Sequence, residues 1–310
     1  MQDNNNINFA HDSIDVKELL NILINSKWVL VYIIAFFSVV GVIYSLLLPN
    51  IYESKTLLAP NIQDEQSGLM QNYGGLASLA GIDVPGATQN NSMQALEKIN
   101  SLSFFENYVL PNIYLPDLMA YKSWNQVQNS SEYDQDIYDQ ASASWVAEDG
   151  TFQKLPPSSQ KSYLVFMSHL EVFLDKKTSF VTIKVKHQNP YISQQWTKLL
   201  VDQINNYYSI KDKNEAEKAS IYISERLTQT NLAEIKQVLA SLLRQEIQKL
   251  TLVEANDFYV YEYIDPPAVM ERKVEPSRAK ICILFTFFGL ILGLAYIFFK
   301  HYILKQFARV

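Results

Sequence analysis

The four histidines, His11, His169, His187 and His301, stand apart in the sequence, and no HExxH or His-x-x-His pair gives them metal-ligand spacing. Cys282 is the only cysteine, so neither an intramolecular disulfide nor a multi-cysteine metal or redox centre is expected within one chain. There is no GxxxxGK[ST] phosphate loop, no GxGxxG, no GxSxG elbow and no kinase signature. The glycine-rich run Tyr73–Gly81 (YGGLASLAG) lacks the lysine of a phosphate cradle and is read as structural. Acids gather at Glu132, Asp134, Asp136, Asp139, Glu148 and Asp149, with no Lys or Arg from Ser123 to Gln153. Asp134-x-Asp136 opens like a calcium loop, but Tyr138 sits where that loop needs an oxygen ligand and the glycine that should follow is missing, so a solvated acidic face is expected. A carboxylate pair for glycoside hydrolysis stays open in principle, with no particular pair indicated. The residues therefore assign no catalytic, cofactor-binding or metal site, and the expectation is a protein that is not an enzyme and carries no cofactor.

The spacings that do carry meaning concern packing. Gly289 and Gly293 form a GxxxG pair, which leaves a groove on one helix face where a second backbone can approach. Ahead of it, Pro266, Pro267 and Pro276 hold the chain extended, because each proline fixes φ and removes a backbone donor. The frame around these residues is set by composition. The chain has 310 residues, 48% hydrophobic and 19% charged, which excludes a disordered chain, and a net charge of -6 with no basic block removes nucleic acid as a partner.

Apolar residues collect at the two ends. Trp28–Leu48 is 21 residues without a charge, and Ile281–Phe299 is a second uncharged run of 19 residues between Lys280 and Lys300. At 1.5 Å rise per residue each is long enough to cross a bilayer core of about 30 Å. Two spans divide the chain into an N-terminal segment 1–27, a span 28–48, a domain 49–280, a span 281–299 and a tail 300–310. The first span has no cleavage site after it and is read as an anchor rather than a signal peptide. Flanking Lys and Arg do not orient the pair, so the large interval 49–280 is expected outside the cytoplasm and both termini inside. In the leading segment Val16, Leu19, Leu20 and Leu23 line one side of a helix that Asp12 or Ser13 can cap.

Within the domain, Tyr52–Pro60, Ser179–His187 and Asp257–Ile264 read as strands far apart in sequence. Ser67–Ser92 is rich in glycine and reads as a loop or broken helix. Tyr191–Asp265 contains no glycine and no proline, and apolar residues recur at helical spacing through most of it. One helix over about 191–254 would reach on the order of 95 Å; the alternative is two antiparallel helices broken near Lys211–Asn214. The apolar stripe of the single helix, with Leu239 and Leu242 on it, calls for partner helices from neighbouring copies. The fold class is α+β: two transmembrane helices flanking an α/β base with a long protruding helix.

Five stretches resemble one family, the Wzz-type polysaccharide co-polymerases, or chain-length determinant proteins. They are DSIDVKELLNILINSKW (Asp12–Trp28), YESKTLLAP, GGLASLAGI (Gly74–Ile82), FVTIKVKHQNPYISQQWTKLLVDQIN (Phe180–Asn205) and the prolyl, GxxxG-bearing second span. One departure is Ala279, where the family commonly has a proline before the basic residue. The resemblance implies an inner-membrane protein with a periplasmic domain that assembles as a homo-oligomeric ring. It implies a regulator, without an active site, of the length of a lipid-linked polysaccharide, O-antigen or similar, made by a Wzy-type polymerase. Related autokinases append a cytoplasmic nucleotide-binding domain, which is not expected here because residues 300–310 end the chain. A membrane-anchored periplasmic enzyme acting on glycans and a two-span sensor are the other readings.

The topology is directly measurable. A reporter active only in the periplasm is expected to work when fused near Gln160 and to be silent when fused after Val310. A cytoplasmic signal at Gln160 would reverse the orientation.

Overall fold

The computed structural model describes residues 23–61, 91–146, 152–153 and 155–307. The principal elements are α1 (Lys27–Leu47), β1 (Tyr52–Pro60), α2 (Asn91–Ile99), α3 (Ser159–His169), β2 (Leu170–Leu174), β3 (Val181–His187), α4 (Pro190–Gln229), α5 (Ala233–Ala255), β4 (Tyr261–Asp265) and α6 (Arg278–Phe307). The chain divides into two compact units, Met1–Asn50 with Glu275–Val310, and Ile51–Val274. Residues 1–22 of the leading segment, most of the glycine-rich run, and Glu148 and Asp149 lie outside the described residues.

The first unit is the pair α1 and α6. Only 11% of the most apolar window of α1 and 17% of that of α6 is buried, although both are almost wholly apolar. A core helix of a water-soluble domain would bury most of such a surface; helices that leave it uncovered fit a lipid environment.

The second unit is built on a four-stranded antiparallel sheet in the order β2-β3-β1-β4. The three expected strands are all present, with Tyr261–Asp265 starting later than the sequence pattern suggests, and β2 is an addition. β1 pairs with β3 from Tyr52↔His187 to Leu58↔Val181 and with β4 on its other edge. Its core-facing positions, Tyr52, Ser54, Thr56 and Leu58, are mostly polar, and α4 explains why. Small side chains let the helix approach the strand closely, and hydroxyls then tie the two together. Ser193 Oγ accepts from Ser54 N at 2.8 Å and donates to Val185 O at 2.7 Å. Asn205, one of the few fully polar side chains in the core, accepts from Val260 N and Tyr261 N and donates to Val201 O and Tyr261 O, so all four of its bonds are made. Around these lie Val181, Ile183 and Val185 of β3, Trp196, Leu200 and Ile204 of α4, and Phe104, Phe105 and Phe166.

The long helix departs from the sequence reading. Instead of one helix over about 191–254, α4 runs 40 residues and α5 runs 23, with Thr230–Leu232 between them. The break is not at Lys211–Asn214 either. That polar stretch has its partners on α5, which turns back antiparallel, and on the segment after it: Tyr259 OH donates to Asp212 Oδ2 at 2.7 Å, Lys249 Nζ lies 3.8 Å from Asp212, and Lys213 pairs with Glu254. Residues read as a gap in the apolar pattern are thus the clasp of a helical hairpin.

Pairing of β2 with β3 also brings together two histidines that look isolated in sequence. The rings of His169 and His187 are 5.8 Å apart, and both pack on Trp196. His187 is buried; its Nδ1 accepts from Asn189 N at 3.0 Å, so its Nε2–H donates to Asp117 O at 3.0 Å. Both nitrogens are satisfied only in the neutral ring, and a second proton would face the Asn189 N–H. Burial therefore pushes its pKa down to about 4, against roughly 6.5 for an exposed imidazole. The stability this group supplies is complete above the unfolded value and is lost as pH falls toward the folded one, about 3 kcal/mol in all. His169, also lowered by burial, acts in the same direction. The Asp117 carboxyl, raised by burial, offsets part of the loss at the acid end. The thermal midpoint of the purified chain should fall between pH 7 and pH 4.5, and fall less in His187→Gln. Parallel curves for the two proteins would assign the loss to other groups.

Candidate functional site

With no catalytic cluster in the sequence reading, the surfaces to consider are those where helices pack. In the first unit the contact between α1 and α6 is organised by three glycines. A Cβ at Gly289 would lie 2.9 Å from Phe37 Cβ and 3.4 Å from Ile34 Cα; at Gly41, 2.7 Å from Phe285 Cβ; at Gly293, 2.6 Å from Leu30 Cδ1. The groove of the GxxxG pair thus holds α1 of the same chain. Gly289 and Gly293 are buried, and Ile297, one turn further on, is 3% exposed, so these three make one seam. Gly41, on the facing helix, escaped the sequence reading because it is not part of a GxxxG pair; its place on α1 opposite Phe285 is visible only in the pairing.

A polar contact crosses the same seam. Ser38 Oγ and Thr286 Oγ1 are 2.9 Å apart, and each also lies 2.8 Å from a carbonyl one turn back, Ile34 O and Cys282 O. Two hydroxyl protons face three contacts, so the bond across the seam forms when one hydroxyl turns from its own carbonyl to the other helix. In lipid, where water offers no competing partner, such a bond fixes register between helices.

The prolines fall on both units. Pro266 and Pro267 follow β4, and the carbonyls of this segment accept from side chains: Asp265 O from Thr56 Oγ1 at 2.7 Å, Pro267 O from Gln194 Nε2 at 3.3 Å and Ala268 O from Ser54 Oγ at 3.1 Å. Prolines lose donors but keep acceptors, so side-chain donors of β1 and α4 take the place of a further strand. Pro276, in the other unit, follows a cis peptide bond just before α6.

In the second unit the outer half of the hairpin carries the other packing surface. Ala216, Ser220, Ile223 and Leu227 on α4 and Leu239, Leu243, Leu250 and Val253 on α5 are buried or half-buried and recur at helical spacing, which makes them the seam of the hairpin. Leu239 belongs to this seam. Leu242 does not: it is 42% exposed and continues Ile235 at 45% and Val238 at 58% along one uncovered stripe of α5. The two leucines singled out from the sequence thus sit on different sides of one apolar face, wider than α4 alone covers.

The acids of residues 132–139 do not converge. Asp134 accepts from Asp136 N, and Asp139 accepts from Ala141 N and from the Ser142 hydroxyl, which holds its carboxyl below the usual range. They close turns. Among the described residues no group of three or more His, Cys, Asp or Glu could hold a metal ion.

Comparison with known proteins bears on the first third of the chain. Residues 12–109 match the family model "Wzz: Chain length determinant protein". That interval contains three of the five stretches that carry the resemblance; FVTIKVKHQNPYISQQWTKLLVDQIN and the second span lie beyond it. No curated protein matches the sequence. Among solved structures, a full-length bacterial polysaccharide co-polymerase aligns with a TM-score of 0.41 and 11% identity over 94% of this chain and 99% of its own. A fragment of WzzB, a polysaccharide co-polymerase from Salmonella Typhimurium, aligns with a TM-score of 0.31 and 12% identity over 73% of this chain and 100% of its own.

The glycine seam makes unequal demands. Leu30 Cδ1 is the end of a flexible side chain and can swing away from a residue at 293, whereas Phe37 Cβ and Ile34 Cα cannot move from 289 without moving α1. With Cys282 replaced by Ser, a Ser38→Cys, Thr286→Cys pair should cross-link on oxidation in membranes. Adding Gly289→Leu is expected to cut the cross-linked fraction by at least about half, and Gly293→Leu to cut it much less. Equal fractions in all three would show that the helices do not meet at this seam.

Proposed function

We propose that this chain is an inner-membrane scaffold, without catalysis of its own, that regulates the length of a lipid-linked surface polysaccharide, O-antigen or similar, assembled by a Wzy-type polymerase. The observation that carries the reading is the match of residues 12–109 to the chain length determinant family model. Two apolar helices at the ends of the chain, packed antiparallel along a glycine seam, support its membrane placement. In this reading the interval 49–280 is periplasmic and both termini are cytoplasmic.

A scaffold that measures a polymer needs a structure of its own larger than one chain, and the hairpin supplies a reason for one. Ile235, Val238 and Leu242 form an exposed apolar stripe on a helix otherwise rich in charge. Covering it with the same stripe or a neighbouring face of identical copies gives a homo-oligomer; closure of such contacts around an axis gives a ring. Gly289 and Gly293 act within the chain in this account, setting how α1 and α6 present their outer faces to neighbouring copies and to the polymerase.

Deleting the gene is expected to abolish the preferred length in the surface-polysaccharide ladder, and restoring it to bring the band pattern back; an unchanged ladder on deletion removes the proposal. The purified protein in detergent should scatter light with a mass far above the 35.6 kDa of one chain. Val238→Asp with Leu242→Asp should lower that mass while leaving the helical content intact, because both side chains are exposed in the single chain. Leu239→Asp, placed in the seam, is expected to destabilise the hairpin itself. A monodisperse monomer of the unmodified protein would refute the oligomer.

A further inference from the structure

Residues 114–146 hold six aromatic side chains, all Tyr or Trp, and no Lys or Arg occurs from Ser123 to Gln153. Most of the six are accounted for as packing. Tyr138 and Trp145 with Ala120 form a small cluster of their own, on which Tyr133 packs, and Tyr121 packs on the main core. Trp124 belongs to neither cluster. It sits on a short strand, Tyr121–Asn125, half-buried, with its indole held by two devices: Nε1–H donates to Asn129 Oδ1 at 3.0 Å, and the ring stands edge-to-face on Tyr52 at 5.6 Å. Beside it, at 6.2 Å between centroids and 71° between planes, is Tyr191, from the first turn of α4, with 49% of its surface exposed.

Two aromatic rings set at 71° to one another, outside both hydrophobic clusters, form a corner, with the Trp124 wall held in place. The groups around it are amides. Asn125 uses its oxygen to accept from Val127 N and Gln128 N, and Asn129 uses its oxygen for the indole, which leaves both amide N–H₂ groups without a partner among the described residues. Flat aromatic faces pack against the C–H face of a pyranose, while primary amides pair with its hydroxyls; aromatic walls with a few placed polar groups are the ordinary make-up of a small-molecule site. Charge narrows the ligand. One cation, Lys122, shares the strand with Trp124, but no other occurs from Ser123 to Gln153, where Glu132, Asp134 and Asp136 are nearby in sequence; the net negative segment disfavours a uronate or a phosphate and suits an uncharged sugar or an amino sugar.

We propose that Trp124 and Tyr191 form a subsite for a neutral or amino-sugar pyranose of the polysaccharide. This rests on the length-regulator reading and adds to it a place where the polymer touches the protein. Rigid rings lose little conformational freedom on binding, so even a weak contact of this kind can hold one residue of a long chain while its neighbours stay free.

The test uses the full chain in nanodiscs of zwitterionic lipid, probed by saturation-transfer NMR with polysaccharide released from the host's own lipid carrier by mild acid. Transfer to sugar protons is expected with the unmodified protein. Tyr191→Ser, on an exposed position, should weaken the apparent affinity at least tenfold, as should Trp124→Ala, whereas Trp124→Phe should keep most of it. A thermal midpoint for each variant separates loss of the site from loss of the fold. Equal transfer in Tyr191→Ser and the unmodified protein, or none in either, overturns the subsite, and equal or tighter binding of polygalacturonate overturns the argument from charge. The ladder of the deletion strain reports separately: a ladder that depends on the gene but is unchanged by Tyr191→Ser refutes the corner and leaves the regulator standing.

Discussion

The domain depends on β1 being paired along both edges by strands that come much later in the chain. β3 covers one edge and β4 the other, and both are antiparallel to it. The first strand after the N-terminal apolar helix is therefore an inner strand of the sheet, and its backbone groups stay unpaired until residues 181–187 and 261–265 are present. Non-local pairing of this kind carries a loop-closure cost before any contact repays it. What holds the arrangement once formed is a set of side chains that act as backbone. Ser193 joins Ser54 to Val185, Asn205 satisfies the start of β4, and Ser54 and Thr56 donate to the carbonyls that the prolyl segment leaves open. Each stands where a regular ladder gives out.

This division between regular and irregular pairing explains what the sequence disclosed. The apolar helices were legible because each is a long uncharged run, and the strands at 52–60 and 181–187 because their side chains alternate between faces. The break between α4 and α5 was not legible, since Thr230–Leu232 contains neither glycine nor proline and Leu232 continues the apolar spacing. The stretch that looked like a break, Lys211–Lys218, is helical and contains Asp212, whose partners Tyr259 and Lys249 come from elements that only the hairpin brings close. β2 shows the same limit. Leu170, Val172 and Leu174 alternate with Glu171 and Phe173, a short signal that directly follows a helix and is easily absorbed into it. Once β2 pairs with β3, His169 and His187 meet.

Of the residues expected to form surfaces, the glycines and the leucines differ in how far spacing alone could place them. A GxxxG pair states that something approaches closely and leaves the occupant open; the occupant is α1, and it answers with a glycine of its own at position 41. Spacing put Leu239 and Leu242 on one apolar face, yet they divide between the hairpin seam and the exposed stripe, because a face of that width exceeds what one partner helix covers. The half of that face left over inside the chain is the surface that the proposed homo-oligomer would cover.

The buried polar groups bear on chemistry in the same way. A catalytic group is characteristically one whose unusual environment is aimed at a cavity. Here the buried perturbed groups are spent on the fold: His187 between Asp117 and Asn189, Tyr259 on Asp212, Asp117 beneath the Tyr133 hydroxyl. Their pKa shifts arise chiefly from burial, and each group already has a partner within the fold. The surface groups argued above to meet a ligand or a copy are of a different type, the amides of Asn125 and Asn129 beside Trp124, and the apolar stripe of α5. Amides, aromatic rings and aliphatic side chains bind without reacting, which are the properties that the proposed length-regulating role would draw on.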